Sequence, residues 1–146
     1  MMCTQGRCSE RHVKALIRKE FPKFGYVFGS WYEADRIVSK TRRLPLVCCL
    51  LPTGGEIDIV RGRTFYTEEI AVAFIDKVER DADGDENCDA YERMREAAER
   101  FIRVLNASDY FQPVSNVSYS VIYERLSTIV TGVMITMRLT NREGIC

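Results

Sequence analysis

The chain has 146 residues, of which 46% are hydrophobic and 29% charged, and this size and composition are typical of one globular domain. Its 21 basic and 21 acidic residues balance, so the overall charge gives no argument for binding nucleic acid or an anionic membrane. No apolar run approaches the ~20 residues of a membrane-spanning helix, and the N-terminus lacks the apolar stretch of a secretory signal. We therefore expect a single domain over residues 1–146, with residues 1–8 flexible.

Six cysteines are present: Cys3, Cys8, Cys48, Cys49, Cys88 and Cys146. Without a secretory signal, we expect a reducing cytosol in which the thiols stay free. Cys48 and Cys49 lie in the apolar run LPLVCCLL and are predicted to act as small core residues. Adjacent strand residues point to opposite faces, so these two cannot both pack on one face of a core. A zinc site is disfavoured because the chain has no CxxC pair and a single histidine, His12.

The first predicted element is a helix from Ser9 to Phe21, capped by Ser9 and ended by Pro22, because its apolar residues follow helical spacing. Residues 24–31, FGYVFGSW, then indicate a short strand or an extended crossing. We expect residues 31–35 to continue this segment or to turn. Trp31 suits a core position and an exposed contact surface equally well.

A basic connector and a hairpin are predicted next. Residues 36–43, RIVSKTRR, are typical of a charged connector, with a phosphate-binding patch as the alternative. Residues 44–51 have the apolar composition of a buried strand, and the PTGG sequence at 52–55 is a strong turn signal. Residues 56–60 alternate like the return strand of a hairpin.

The middle of the chain contains one ambiguous segment. Residues 67–80, TEEIAVAFIDKVER, fit a helix by their glutamates and alanines and a strand by their alternation. An acidic loop follows at 81–87, with Asn87 or Asp89 able to cap a helix. Apolar residues at steps of three and four then predict an amphipathic helix from Asp89 to Asn106, about 88–106 with its cap.

The last thirty residues predict a β-hairpin between Val117 and Thr140. Two sets of alternating apolar residues define its strands: Val117, Tyr119, Val121 and Tyr123 in the first, and Val133, Ile135, Met137 and Leu139 in the second. The predicted fold is therefore α/β of the α+β type, with a mostly antiparallel sheet and a C-terminal β-hairpin. The N-terminal helix and the longer central helix are expected to pack on the sheet.

A sheet that ends in a long hairpin has an edge that a protein must cover or use. Exposed aromatic and charged residues near such an edge are candidates for contacts between subunits. We select Trp31, Tyr119, Tyr123, Arg125, Arg138 and Arg142. The alternative is that each of them is an ordinary outward-facing residue.

The acidic segment resembles a calcium-binding loop in its spacing. Asp81, Asp83, Asp85, Asp89 and Glu92 occupy positions 1, 3, 5, 9 and 12 of a twelve-residue loop, which are ligand positions in an EF-hand. However, the glycine that the sharp turn requires stands two places early, and no second loop is found. We predict a solvated turn that caps the helix, with no metal or other cofactor. A calcium- or small-ligand-binding module that uses residues 81–92 is the alternative.

No catalytic residues are predicted. The sequence contains neither GxSxG nor a phosphate-cradling glycine motif before a helix. A thiol nucleophile would need His12 close to a cysteine such as Cys48 or Cys49, which nothing in the sequence indicates. We therefore expect a protein that is not an enzyme.

Three segments carry a resemblance to a known family: AVAFIDKVERDADGDEN, ERMREAAERFIRVLNASDYFQPV and YERLSTIVTGVMITMRLTNREGIC. Together with the predicted order of elements, they resemble the tail-terminator and tail-completion proteins of long-tailed bacteriophages, as found in phages and prophages of Bacteroides-type bacteria. The resemblance covers residues 70–146 well and the first half loosely. The cysteine content and the apolar LVCCLLP hairpin depart from the better-known members.

This resemblance implies a small structural protein of the virion that has no cofactor. Such proteins form a ring, commonly a hexamer, which caps the tail tube at the head–tail junction. The partners it implies are copies of the chain itself, the tail tube protein and the head-completion or connector proteins. It implies neither a membrane nor a sequence-specific nucleic acid as a partner. The expected location is the virion, and the host cytoplasm during assembly.

Overall fold

The structure is a computed structural model, and it describes residues 8–41, 44–79, 81–125 and 129–145. Within these residues the elements, in chain order, are α1 Glu10–Glu20, β1 Gly25–Gly29, α2 Trp31–Thr41, β2 Leu46–Leu50, β3 Gly54–Val60, β4 Arg63–Lys77, α3 Gly84–Ala107, β5 Ser118–Arg125 and β6 Val130–Thr140. The expectations for residues 1–7, for Arg42 and Arg43, and for the thiols of Cys3 and Cys146 lie outside the described residues.

One sheet organises the molecule, with strand order β1-β2-β4-β6-β5. Strand β3 is off this path and pairs with β4. Only β1 and β2 run parallel among the described pairs, so the sheet is mostly antiparallel. The predicted fold class is confirmed, including the N-terminal helix, the longer central helix and the C-terminal hairpin of β5 and β6.

Both faces of β4 are covered from Ile70 to Ile75, which explains the ambiguity of the segment at residues 67–80. Ile70, Val72 and Phe74 are buried on the face that carries α1 and α3. Ala73 and Ile75 are buried on the opposite face, in a cluster that includes Ala34 of α2. A strand buried on both faces reads as a nearly continuous apolar run, so its composition alone does not separate it from a helix. Residues 67–77 of the segment are a strand, as part of β4, Val78 and Glu79 follow it without regular structure, and Arg80 lies outside the described residues.

The described part of residues 31–43 is helical, so the expectation of a continued strand or turn, followed by a basic connector, is wrong. Helix α2 begins at Trp31 and runs to Thr41. The Glu33 amide donates to the Ser30 hydroxyl at 3.3 Å, and Ala34, on the inner face of α2, is completely buried. Ser30 and Glu33 have the S-x-x-E spacing of a capping box, which marks a helix start. The prediction missed it because the aromatic residues 24–31 indicated a strand.

The return-strand prediction for residues 56–60 is wrong about its partner. β3 pairs with β4, whereas β2 pairs with β1 and with another part of β4. The two-residue turn that joins β3 to β4 consists of Arg61 and Gly62, both with positive φ (51° and 78°). Two-residue hairpin loops favour this geometry because it matches the twist of the strands.

Helix α3 begins earlier than predicted. It starts at Gly84, and its N-cap is Asp83, whose carboxylate accepts a hydrogen bond from the Glu86 amide at 2.8 Å. Capping by Asn87 or Asp89 is therefore wrong, because both residues lie inside the helix. An aspartate one residue before the helix satisfies free amide groups of the first turn.

The predicted cap of α1 by the Ser9 side chain is wrong, because Ser9 donates to a distant residue of the sheet instead. Ser9 occupies the N-cap position but makes no side-chain capping bond. Its amide and its hydroxyl both donate to one carboxylate oxygen of Glu68 on β4, at 3.0 and 2.9 Å. This carboxylate therefore stabilises the N-terminus of α1 and ties the helix to the sheet.

Substituting Glu68 by alanine is expected to lower the free energy of unfolding by about 1–3 kcal/mol, because the buried Ser9 would lose the acceptor for both of its donors. Chemical denaturation measures the loss. Glu68→Gln retains an acceptor oxygen and should lose less. Equal stability of wild type, Glu68→Ala and Glu68→Gln would show that the contact does not stabilise the fold.

Candidate functional site

Among the described residues, the most exposed strand belongs to a hairpin that we call the arm, residues 54–69. It consists of β3 and the first half of β4, and each of its residues is exposed or half-buried. All seven residues of β3 are exposed. In the part of the chain that the structure describes, β3 pairs with β4 alone, so its outer edge presents backbone N–H and C=O groups.

One face of the arm is apolar. Ile57 and Ile59 are 69% and 68% exposed, and Tyr66, which lies opposite Ile57, is 42% exposed. Single exposed apolar residues are common on proteins, but aligned β-branched and aromatic side chains on an open strand favour a contact surface. This apolar face was not predicted, because an alternating strand reads the same whether or not another element covers it.

The opposite face of the arm is held to β6 by polar contacts. Arg138 forms ion pairs with Glu56, at 3.1 Å, and with Glu69. The hydroxyls of Thr67 and Thr140 lie 2.6 Å apart. These contacts tie β3, β4 and β6 together, so the apolar face is presented by a three-stranded platform.

The far edge of the sheet carries a second exposed surface. Tyr119 and Tyr123 of β5 are 49% and 55% exposed. The hydroxyls of Tyr119 and Tyr91 lie 3.0 Å apart, and Arg95 donates to the Tyr91 hydroxyl at 3.1 Å. The Arg95 guanidinium also lies 5.0 Å from the centre of the Tyr91 ring. We call Tyr91, Arg95 and Tyr119 the tyrosine–arginine cluster.

The hydrogen bond between the two hydroxyls shifts the pKa of both tyrosines. It lowers the pKa of Tyr119, a shift to which a hydrogen bond from Arg95 also contributes. The bond between the hydroxyls raises the pKa of Tyr91. Two aromatic rings fixed by an arginine have the composition that interfaces between proteins favour.

The six predicted contact residues do not form one surface. Tyr119 and Tyr123 share the β5 edge, and the backbone of Arg125 pairs with Val130 at its end. The Arg125 side chain lies outside the described part of the structure. Arg138 forms an ion pair with Glu56 of the arm, and Arg142 forms an ion pair with Asp109 at 2.6 Å. Trp31 begins α2 and packs against the smaller core cluster.

The acidic segment does not have the loop conformation of an EF-hand. Helix α3 begins at Gly84, so Asp85, Asp89 and Glu92 lie in the helix, while Asp83 caps it and Asp81 is exposed. An EF-hand instead wraps these positions around the ion in a twelve-residue loop. Among the described residues, no group of three or more His, Cys, Asp or Glu side chains is placed to hold a metal ion.

Cys48 and Cys49 are fully buried on opposite faces of β2, as the alternation of a strand requires. Burial raises the pKa of each thiol to about 12. Both thiols are therefore protonated at neutral pH, which is the unreactive form. His12 stacks on Tyr110, with ring centres 4.0 Å apart.

We expect Cys48 and Cys49 to resist alkylation in the folded protein while the exposed Cys88 reacts. Mass spectrometry after a short treatment with iodoacetamide measures the modified positions. In denaturant all three thiols should react, which provides the control. Alkylation of Cys48 or Cys49 as fast as that of Cys88 would contradict the buried, protonated state.

No known family model matches the chain, and no curated protein matches it either. None of the helices in the described ranges is long and apolar enough to cross a membrane. The arm and the β5 edge are the features of the structure from which we infer a function.

Proposed function

We propose that this chain is a structural subunit that assembles with copies of itself through its exposed sheet edges. The observation that carries the proposal is the arm, whose strand β3 exposes both of its faces and one edge. Proteins that remain monomeric protect such edges by covering, shortening or twisting them. An uncovered seven-residue strand with two exposed isoleucines is therefore best explained by a protein partner.

The expected gain on assembly is substantial. Burying Ile57 and Ile59 contributes about 1.5–3 kcal/mol for each side chain. Backbone hydrogen bonds along the β3 edge add direction and register to this apolar contribution. In a closed ring every subunit makes two such contacts, so moderate individual contacts stabilise the whole assembly.

We further propose that the assembly is a ring, commonly a hexamer in the family, at the head–tail junction of a tailed phage. The ring caps the tail tube and joins it to the head-completion or connector proteins. Support comes from the resemblance of residues 70–146 to tail-terminator and tail-completion proteins. The mostly antiparallel sheet with a long helix packed on it suits this assignment.

Light scattering coupled to size-exclusion chromatography tests self-assembly, from low to high protein concentration, with and without purified tail tubes. We expect oligomers at high concentration, or addition of the chain to the ends of the tubes. A species that stays monomeric at every concentration and does not bind to tubes would overturn the proposal. Oligomers that do not bind to tubes would retain self-assembly and remove the phage assignment.

A further inference from the structure

We infer that β3 of one copy adds to β5 of the next copy in antiparallel orientation, so that the sheets of successive subunits form one continuous sheet. This inference rests on the proposed self-assembly and names the surfaces that meet. The occupant of the β3 edge is thus a second copy of this chain, held by strand addition.

The two strands are free on opposite sides of the same sheet. Among the described residues, β3 pairs only with β4, and β5 pairs only with β6. The intervening pairs are all antiparallel, so β3 and β6 run in one direction and β4 and β5 in the other. A neighbouring copy in the same orientation therefore brings its β3 antiparallel to β5, which is the more stable arrangement.

The apolar faces of the two strands coincide. Ile57 lies opposite Tyr66, which shares the face of β4 that includes Ile70, packed beneath α1 and α3. Tyr119 lies opposite Ile135, which belongs to the same core cluster. In a continuous sheet, Ile57 and Ile59 would therefore lie on the face of Tyr119 and its neighbours. Aromatic and β-branched side chains form favourable pairs across strands.

The other faces are complementary in hydrogen bonding. Glu56 and Asp58 lie on the second face of β3, and Ser118 and Ser120 lie on the second face of β5, because side chains alternate along a strand. Serine hydroxyls donate to carboxylates, so this face brings donors to acceptors. Because Glu56 already pairs with Arg138, Asp58 is the principal acceptor that β3 offers to these serines.

A symmetric pairing of β3 with β3 of a second copy is less favourable. Matching faces about Asp58 would place two Asp58 carboxylates directly opposite each other. Matching faces about Ile57 would place Asp58 opposite Glu56, which already pairs with Arg138. Like charges directly across strands destabilise a sheet, so the register centred on Asp58 is disfavoured. Pairing with β5 avoids that repulsion, and the contact is head-to-tail, as a ring requires.

The two edges are staggered along the strand direction. Phe65 lies opposite Asp58, and Ala73, eight residues further along β4, lies opposite Met134, which pairs with Ser120. This offset corresponds to roughly 27 Å at the usual rise per residue. Barrels close a staggered sheet by tilting their strands, so a closed assembly with this offset requires inclined strands.

Disulfide trapping between two populations of the chain tests the pairing. In a background with serine at positions 3, 8, 88 and 146, one population carries Asp58→Cys and the other carries Ser118→Cys or Ser120→Cys. The two serines cover two registers that keep the faces matched. The matched control replaces the adjacent Val121 by cysteine, since this residue lies on the opposite face and its replacement retains Tyr119.

We expect cross-linked dimers of Asp58→Cys with one of the serine variants, at a yield about tenfold above that of the Val121→Cys control, because cysteines on opposite faces cannot reach each other. Oligomers that give no such cross-link would overturn the strand pairing and leave the proposed self-assembly intact. Cross-linking of Asp58→Cys to itself would show the symmetric pairing instead. Monomers at every concentration that also fail to bind to tail tubes would overturn both.

Discussion

Substituting Phe101 by alanine is expected to lower the free energy of unfolding by about 3–5 kcal/mol. Phe101 is completely buried on the inner face of α3, and its ring centre lies 5.7 Å from that of Phe74 on β4. Truncation removes a large apolar side chain and leaves a cavity between the helix and the sheet, which a well-packed core fills only in part. Chemical denaturation monitored by circular dichroism measures the loss.

Arg103→Ala provides the control on the same helix. Arg103 forms an exposed ion pair with Glu99 at 3.2 Å, and such pairs contribute well under about 1 kcal/mol. We therefore expect Arg103→Ala to remain close to the wild type in stability. Similar stabilities for Phe101→Ala and Arg103→Ala would contradict the packing of α3 on the sheet.

Substituting both Ile57 and Ile59 by threonine is expected to weaken self-association by roughly a hundredfold at each contact, through the loss of about 3 kcal/mol of apolar burial. Threonine is β-branched and retains the strand propensity of the arm. Because both isoleucines are exposed in the monomer, its free energy of unfolding should change by less than about 0.5 kcal/mol. Sedimentation velocity at matched concentrations measures the association.

Tyr32→Ala is the matched control for this double variant. Tyr32 is 76% exposed on α2, which covers the opposite face of the sheet from the apolar face of the arm. We expect this control to associate like the wild type. If the double threonine variant also associated like the wild type, the arm would not be the assembly surface.

The sequence predicted the elements in which one face packs against a neighbouring element, because their apolar residues then follow a regular spacing. The alternation of Val133, Ile135, Met137 and Leu139 is buried as expected, because α3 and the sheet enclose that face of β6. The three-and-four spacing of α3 predicted its buried stripe for the same reason. Cys48 and Cys49 were correctly expected to face apart, since strand geometry permits nothing else.

The elements that were missed depend on contacts that local pattern does not specify. The pairing of β3 with β4 is set by the tight turn at Arg61 and Gly62, whereas the more conspicuous PTGG sequence only connects β2 to β3. Helix α2 has its capping signal at Ser30, directly after an aromatic strand, and the aromatic composition of residues 24–31 favoured an extended segment. The stabilisation of α1 comes from Glu68, far away in the chain.

The candidate surface was foreseen in part. Tyr119 and Tyr123 were selected from the sequence, and the structure places both on the exposed β5 edge. Arg138 was selected as a contact between subunits, and its ion partners within the chain are Glu56 and Glu69. The arm was not foreseen, because the alternation of β3 does not show whether another element packs on it. Only the tertiary structure shows that the strand is uncovered.

Amide hydrogen exchange of β3 tests the central claim most directly. The wild-type chain is compared at a concentration where it is monomeric and at one where it is assembled, with peptides resolved by mass spectrometry. We predict that residues 54–60 exchange rapidly in the monomer and become protected on assembly, together with residues 118–122 of β5. Assembly without any change in the exchange of residues 54–60 would contradict the assignment of the arm as the assembly surface.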